Sequence, residues 1–342
     1  MKARIGLLLI LVACVCSGCA DDKVQQEDTA SSTCDVFAMD TYMTLAANGD
    51  NSDKALEEAQ DRIKELDEKL STGNADSEVA VLNESGSGEL SEDTFYLLEK
   101  SLDISRRTDG AFLPTIYPLM EAWGFPTKEF KVPEDSQIES LLPLLDVRQV
   151  NIDSEKRSVS FEKDGMKLDF GGIAKGYTSD EVMRIFRENG IESGIVNLGG
   201  NVHTLGSKPD GSKWRVAIQN PYGDEDYLGV LEIADKAVIT SGGYERYFEK
   251  DGVIYHHIID TKTGYPADNE LVSVTIVCDE GVLADGLSTS LFVMGLEKAC
   301  DFYRDNSEEF DVILMTKDNE VYVSQGISES FSTTYDMKLI ER

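Results

Sequence analysis

Cysteine and histidine are scarce in this sequence. Of its 342 residues, only six are cysteine and three are histidine. Three cysteines fall within the first 19 residues, and the others, Cys34, Cys278 and Cys300, lie far apart without C-x-x-C spacing. This pattern excludes a disulfide framework and a cysteine-ligated zinc site. We interpret these three cysteines as small apolar residues.

Basic residues are also few compared with acidic ones. The chain has 64 acidic and 32 basic residues, which gives a net charge of −32. Because proteins bind nucleic acid through cationic contacts to phosphate, we expect no nucleic-acid partner. An anionic ligand on so acidic a chain would need local cations or a metal ion. The remaining composition, 41% hydrophobic without a low-complexity tract or repeat, is that of a globular protein with a large core.

The first 18 residues are typical of a secretory signal. Lys2 and Arg4 precede an apolar run from Ile5 to Val15, which is too short for a transmembrane helix. The stretch "CSGC" ending at Cys19 resembles the bacterial lipobox, in which the cysteine is lipidated and becomes the mature N-terminus. The alternative is a plain cleaved signal. We expect residues 19–34 to form a flexible tether between a lipid anchor and the folded domain. The protein would then lie on the outer face of the cytoplasmic membrane or in the periplasm.

Periodicity predicts an α+β fold with antiparallel sheets and packed helices. Apolar spacing indicates helices over 52–71, 91–107 and 134–142, from just after Gly171–Gly172 to about 189, and from about 283. Short β-rich runs are concentrated after residue 190, and "RSVSFEKDGMKLDF" reads as a hairpin turning at Asp164–Gly165. We expect one domain over 35–342, with a smaller lobe joined near the proline-containing, mostly loop segment 114–133.

The stretch "LDFGGIAKGYTSD" places Lys175 at the start of a predicted helix. A helix N-terminus attracts anions, so a lysine there is reasonable if a phosphate lies between it and the free N–H groups. The spacing matches neither a P-loop nor G-x-G-x-x-G. The alternative is an ordinary surface lysine.

Two further patterns carry possible chemistry. Asp285 and Thr289 in "LADGLSTSLF" lie four residues apart, hence on one face of a helix. This all-oxygen pair suits Mg²⁺. The alternative is an acidic residue favoured in the first helical turn with a threonine that bonds back to it. His256 and His257 lie in a predicted strand, so their rings should point to opposite faces, and either a general base or a structural histidine fits.

Taken together, these blocks resemble one family. The sequence is similar to the FAD:protein FMN transferases, the ApbE family, over about residues 36–325. The similarity is carried by "FAMDTYMTL", "LSTGNADSEVAVLN", "TDGAFLPTIYPLMEAWGF", "LDFGGIAKGYTSD", "VNLGGNV", "ITSGGYERYFEKDGVIYHHIIDTKTGYP" and "LADGLSTSLFVMG". The resemblance implies a two-lobed, T-fold-like domain, often exported as a lipoprotein.

The resemblance also implies a reaction and its residues. Such enzymes bind FAD with Mg²⁺ and transfer FMN to a threonine or serine hydroxyl of an acceptor protein, typically a subunit of a membrane redox complex, with release of AMP. By matching positions, Asp285, Thr289 and the carbonyl of Gly172 would bind the metal, and His257 would activate the acceptor hydroxyl. The matching flavin-contact positions are Met39, Ala111, Phe112, Leu113, Asp169, Lys175 and Ile258.

Two other functions stay open at this point. One is a lipid-anchored FAD-binding protein without transferase activity, and the other is an FAD pyrophosphatase that uses water as the nucleophile. The chain also departs from the family pattern at Asp40, Gly73 and Leu113, where the family often has glycine, an aromatic residue and aspartate. The Asp285/Thr289 pair favours an enzyme, because a protein that only binds FAD has no need of a metal at the pyrophosphate.

Overall fold

The computed structural model describes residues 31–223 and 227–342. Within these residues the chain forms eight α-helices. They are α1 (Ser52–Leu70), α2 (Glu78–Ser85), α3 (Glu92–Arg107), α4 (Tyr117–Trp123), α5 (Asp135–Leu141), α6 (Ala174–Glu188), α7 (Gly281–Met294) and α8 (Leu296–Asp305).

The same residues contain seventeen strands. They are β1 (Ser31–Ala38), β2 (Thr41–Asn48), β3 (Ser87–Glu89), β4 (Val150–Asp153), β5 (Ser158–Phe161), β6 (Ser193–Leu198), β7 (Asn201–Leu205), β8 (Trp214–Gln219), β9 (Tyr227–Ile233), β10 (Ala237–Gly242), β11 (Tyr247–Lys250), β12 (Val253–His256), β13 (Leu271–Cys278), β14 (Asp311–Thr316), β15 (Val321–Ser324), β16 (Phe331–Ser332) and β17 (Met337–Ile340).

One large sheet organises the fold. Among the described residues it has nine strands in the order β1-β2-β6-β7-β10-β13-β14-β15-β17. Every neighbouring pair is antiparallel except β15 and β17. Helix α1 packs on β1 and β2, and α7 packs on β10 and β13, while α6 lies between these two helices. The expected α+β class, with antiparallel sheets and packed helices, is confirmed.

The helices form because their apolar positions recur with helical spacing. In α1 the buried side chains Ala55, Ala59, Ile63 and Leu66 lie on one face and are fully buried. Helix α7 differs, since nearly all of its first twelve residues are buried. A helix that is apolar all round belongs in the interior. Its few polar side chains are therefore placed inside the molecule.

Two boundaries differ from the sequence prediction. Strand β1 begins at Ser31, so residues 31–34 belong to the sheet and not to the expected tether. The predicted loop over 114–133 contains α4. Pro118 lies in the first turn of α4, where a proline ring meets no preceding helical carbonyl. The smaller lobe expected to join at this segment stays a prediction.

The predicted hairpin at Asp164–Gly165 is wrong. Strand β5 pairs with β4 and β3, and residues 166–170 lie in no strand. Their extended backbone bonds to a side chain instead. The amide of Asn83 donates to the carbonyl oxygen of Leu168 at 2.8 Å and accepts from its N–H at 2.6 Å. Asn83 lies in α2, a short helix that the sequence analysis did not predict.

In the residues that the structure describes, no helix is both long and apolar enough to cross a membrane. The predicted signal and the proposed lipidation site Cys19 lie outside these residues.

Candidate active site

The site is built where α6 and α7 begin, against the end of the large sheet. The chain leaves the core at Phe170, turns through Gly171 and Gly172, and enters α6 at Ala174. The helix has no side-chain cap of its own at Ile173. The N–H of Ala174 donates to the carbonyl oxygen of Phe170 at 2.8 Å, and the N–H of Gly176 takes a partner from another helix.

Asp285 supplies that partner. Its side chain is buried, with the residue 4% exposed, on the second turn of α7. The N–H of Gly176 donates to Oδ2 at 2.8 Å, and the amide of Asn201 donates to Oδ1 at 3.1 Å. Among the described residues, no lysine, arginine or histidine nitrogen forms an ion pair with this carboxylate. A buried carboxylate held only by neutral donors has capacity for a cation.

Thr289 lies one turn further along α7, as predicted. Its Oγ1 is 3.3 Å from the hydroxyl of Ser241, which also lies 2.8 Å from the hydroxyl of Ser288. A Cβ added to Gly172 would lie 3.7 Å from Thr289 Oγ1 and 3.0 Å from Cε2 of Phe112. The structure thus brings Gly172, Phe112 and Thr289 into contact.

The three predicted metal ligands fit a hard cation. Asp285 offers a carboxylate, Thr289 a hydroxyl and Gly172 a backbone carbonyl, which are all oxygen donors of the kind that Mg²⁺ prefers. The buried carboxylate lacks a cationic side chain, so a divalent ion would compensate its charge. A set of so few protein ligands also leaves positions for water and phosphate oxygens, as is usual for Mg²⁺.

Lys175 lies in the first turn of α6. Its side chain is half-buried, and no carboxylate within the described residues lies within ion-pairing distance of its ammonium. Its positive charge acts on the carboxyl group of Glu245: burial raises the pKa of Glu245, and the charge of Lys175 opposes that shift. A cation at the N-terminal turn of a helix favours an anion there.

His257 follows directly after β12 and is half-buried. Its Nδ1 lies 3.1 Å from the carbonyl oxygen of Arg246, which can only accept a hydrogen bond. Nδ1 therefore carries the proton, and Nε2 keeps a free lone pair. Burial lowers the pKa of His257 to about 3, and the positive charges of Arg246 and Lys175 act in the same direction. A neutral imidazole with a free Nε2 can accept a proton.

His256 is oriented differently. Its Nε2 lies 3.1 Å from the carbonyl oxygen of Ala267, and its ring packs edge-on against Phe292 at 5.6 Å. Its Cδ2 would lie 2.7 Å from a Cβ on Gly243. Burial lowers its pKa as well. These contacts are those of a packed structural histidine.

The predicted flavin-contact residues come together only in part. The N–H of Asp169 donates to the carbonyl of Pro114 at 2.8 Å, which joins Asp169 to the segment Ala111–Leu113. Burial raises the pKa of Asp169, while the N–H of Gly171 and the charge of Arg246 oppose the shift. Met39 lies 3.7 Å from the hydroxyl of Thr178 in α6.

Ile258 is less accessible than the other candidates. It is 4% exposed and packs in the core between α7 and the sheet. Its carbonyl oxygen accepts from the N–H of Ala267 at 2.9 Å. Its contribution is therefore to hold the segment that follows His257.

The sequence analysis missed several residues that shape the site. Asn201 and Ser241 contact the predicted ligands, and Arg246 fixes the ring of His257 through its carbonyl. Their signals were the blocks "VNLGGNV" and "ITSGGYERYF", which were noted without a role. Asp180, on α6, is a fourth such residue, because it binds the first N–H groups of α7.

Comparisons with known proteins identify the family of this chain. The profile of the ApbE family matches residues 39–314. An FAD:protein FMN transferase of Klebsiella pneumoniae is 37% identical over 274 residues, which cover 79% of this chain and 84% of the relative. One from Escherichia coli is 30% identical over 333 residues, which cover 93% of both chains.

Solved structures give the same result. The ApbE protein of Thermotoga maritima superposes with a TM-score of 0.82 at 32% identity, covering 87% of this chain and 98% of that one. The flavin transferase ApbE of Vibrio cholerae gives a TM-score of 0.76 at 27% identity, covering 90% and 97%. By fold and sequence, the protein is a transferase enzyme. The chain belongs to the ApbE family.

Proposed function

We propose that this enzyme transfers the FMN moiety of FAD to a threonine or serine hydroxyl of an acceptor protein and releases AMP, with Mg²⁺ as the metal. The proposal rests on one observation above all. The buried carboxylate of Asp285 forms no ion pair with a lysine, arginine or histidine of residues 31–223 and 227–342, and it adjoins the start of the helix that carries Lys175. The names of the relatives support the same reaction.

The start of α6 would hold the pyrophosphate of FAD. Lys175 supplies a positive charge at the N-terminal turn, where the helix dipole also favours an anion. Gly172 has no side chain, which leaves room for the ring of Phe112 against the backbone that leads into this turn. Phosphoryl transfer requires little covalent chemistry from the protein, and positioning with charge compensation accounts for most of the catalysis.

His257 would act as the general base. The acceptor hydroxyl donates its proton to Nε2 while its oxygen forms a bond to the phosphorus of the FMN phosphoryl group. The bond between that phosphorus and the bridging oxygen breaks, and AMP leaves with the bridging oxygen. The hydrogen bond from Nδ1 to the carbonyl of Arg246 fixes the ring and its tautomer, so that Nε2 is the atom that accepts the proton.

Asp285, Thr289 and the carbonyl of Gly172 would hold the metal. When bound there, Mg²⁺ neutralises negative charge on the transferred group and on its leaving partner. Asn201 and the N–H of Gly176 orient the carboxylate of Asp285 for this purpose.

The flavin half of FAD would lie toward the segment Ala111–Leu113, with Asp169 and Met39 near it. Phe112 already packs against Gly172, which places this segment beside the metal ligands. The side chain of Thr261 donates to the carbonyl of Gly110 at 2.6 Å, so the segment is tied to the chain that follows His257.

The proposal extends to location and partners. We expect Cys19 to carry a lipid anchor, so that acceptor subunits of membrane redox complexes lie within reach. Replacing Cys19 with serine should leave the protein unprocessed or release it from the membrane fraction. A Cys19→Ser protein that is still processed and extracted only by detergent would exclude this anchor.

Mass spectrometry tests the reaction. The enzyme is incubated with FAD, Mg²⁺ and a candidate acceptor, and the acceptor should gain the mass of an FMN phosphoester while AMP accumulates in equal amount. EDTA should prevent both. Release of free FMN and AMP with an unmodified acceptor would identify a pyrophosphatase, and FAD binding without turnover would identify a binding protein.

A further inference from the structure

Helices α6 and α7 touch backbone to backbone at their first turns. A Cβ on Gly176 would lie 2.2 Å from the carbonyl oxygen of Gly281, and a Cβ on Gly281 would lie 2.5 Å from that of Gly176. No larger residue fits at either position. The distance between the two helix starts is therefore fixed by this contact. The hydrogen bonds around the contact determine how the two helices are oriented.

Each helix start is capped by an aspartate of the other helix. Asp285 of α7 accepts from the N–H of Gly176 at 2.8 Å. Asp180 of α6 accepts from the N–H of Gly281 at 2.6 Å and from that of Val282 at 2.8 Å. Neither helix has a side-chain cap on its own N-cap residue. The exchange thus satisfies N–H groups that a helix otherwise leaves unpaired.

The two aspartates differ in what else they reach. Asp285 belongs to the proposed metal site. Within the part of the chain that the structure describes, the carboxylate of Asp180 bonds to the start of α7 and lies 3.6 Å from Nδ1 of His203. His203 is buried and is also bonded to Ser179 at 3.0 Å.

These contacts couple Asp180 to the site through one turn of helix. Asp180 fixes Gly281 and Val282, and Asp285 and Thr289 follow them on the same rigid helix at a rise of about 1.5 Å per residue. We propose that Asp180 is a positioning residue, which sets the placement of α7 on α6 and so brings Asp285 and Thr289 to the anion site at Lys175. This inference rests on the proposed metal-dependent function.

The expected effect is on metal binding. Groups that orient metal ligands typically contribute 10- to 100-fold to metal affinity. We expect Asp180→Ala to weaken binding of Mn²⁺, used as a paramagnetic probe, by about 10- to 100-fold in the FAD-loaded protein, as measured by electron paramagnetic resonance. The turnover number should fall in proportion, while the dissociation constant of FAD without metal changes by less than about threefold.

Asp153 provides a matched control. It also accepts two backbone N–H bonds, from Glu155 at 3.1 Å and Lys156 at 3.2 Å, but in the β4–β5 turn. Asp153→Ala removes an equivalent pair of bonds and should leave the Mn²⁺ affinity unchanged. Asp180→Asn, which keeps one acceptor oxygen, covers the case in which Asp180→Ala does not fold. It should weaken Mn²⁺ binding in the same direction but less.

The outcomes separate this inference from the reaction. Weaker Mn²⁺ binding in the folded Asp180 variants, with normal binding in Asp153→Ala, supports the positioning role. Wild-type Mn²⁺ affinity in a folded Asp180 variant would overturn it, even if the melting temperature fell, and would leave the proposed reaction intact. A wild-type protein that binds FAD but no Mn²⁺ would overturn both the metal-dependent reaction and the inference.

Discussion

The carbonyl oxygen of Arg246 accepts a hydrogen bond from Nδ1 of His257, at 3.1 Å, and this bond leaves Nε2 of the ring as the basic atom. The N–H of His257 also donates to the same carbonyl at 3.0 Å. The ring orientation is therefore set by the backbone. A histidine held in this way serves as a base without a carboxylate partner.

The first prediction concerns the pH dependence. Burial lowers the pKa of His257 to about 3, so the neutral, basic form persists down to that pH. A base with a lowered pKa remains active further into the acid range. We therefore expect kcat/KM for FAD, which reports the free enzyme, to show no acid limb near pH 6.5 that depends on His257. An inflection near pH 6.5 that disappears in His257→Gln would contradict the lowered pKa of His257.

The two histidines should also separate by mutation. Loss of a proton-transfer group typically costs about 10²- to 10⁴-fold, so we expect such a loss of flavinylation rate in His257→Gln. His256→Gln should retain most of the activity, since a glutamine amide can still donate to the carbonyl of Ala267. Equal losses in the two variants would show that His257 acts only through the fold.

The second prediction concerns Lys175. Charge-assisted hydrogen bonds contribute about 1.5–3 kcal/mol, so Lys175→Met should weaken FAD binding by about 10- to 100-fold in fluorescence titration. Lys156→Met is the control, since Lys156 lies on the surface, 71% exposed, with an ion pair to Asp153 at 3.7 Å. Equal FAD affinities in the two variants would exclude Lys175 as a phosphate ligand.

One relationship within the candidate site could be predicted from the sequence alone. Asp285 and Thr289 could be placed on one face because helical spacing fixes which side chains are neighbours. Asn201 could not be found in this way. It lies 84 positions from Asp285, and only the pairing of β6 with β7 brings its amide to the carboxylate.

The wrong elements have a common cause. Residues 166–170 alternate like a strand because Met166, Leu168 and Phe170 are buried, but the N–H and carbonyl of Leu168 bond to the side chain of Asn83 and not to another strand. Alternation reports burial and does not report the hydrogen-bond partner. Helix α2, which carries Asn83, has only eight residues and gives too short a periodic signal to detect.

A third prediction concerns the turns at the end of the sheet. Gly199 has φ of +65°, and a Cβ there would lie 2.2 Å from Oγ1 of Thr41 in the neighbouring hairpin. Gly199→Ala combines backbone strain with this collision and should lower the free energy of unfolding by about 2–4 kcal/mol.

Gly211→Ala is the matched control for that variant. Gly211 has φ of +80° but nothing within 4 Å of an added Cβ. Gly211→Ala should therefore lower the free energy of unfolding only by the cost of the backbone strain, about 1–2 kcal/mol. Chemical denaturation measures both. Equal losses of unfolding free energy in Gly199→Ala and Gly211→Ala would mean that the contact between the two hairpins does not contribute to stability.

A fourth prediction links pH to stability through His203. This residue is 2% exposed, and burial lowers its pKa to about 4. Between that value and about 6.5, the unfolded chain binds a proton that the folded protein does not. Stability should therefore be complete above about pH 6.5 and fall as the pH drops toward 4. In His203→Gln, the slope of unfolding free energy against pH over this window should be smaller. An unchanged slope would show that other groups cause the acid sensitivity.

The most direct test of the proposed reaction is to separate FAD binding from FMN transfer at Asp285. Removing this carboxylate leaves the flavin and adenine contacts in place but removes the charged ligand of the metal. We expect Asp285→Ala to bind FAD at most several-fold more weakly, while flavinylation of an acceptor, measured by mass spectrometry, falls by at least about 10²-fold. EDTA should reproduce this effect in the wild type. An Asp285→Ala protein, or a metal-stripped wild type, that flavinylates at the normal rate would contradict the account.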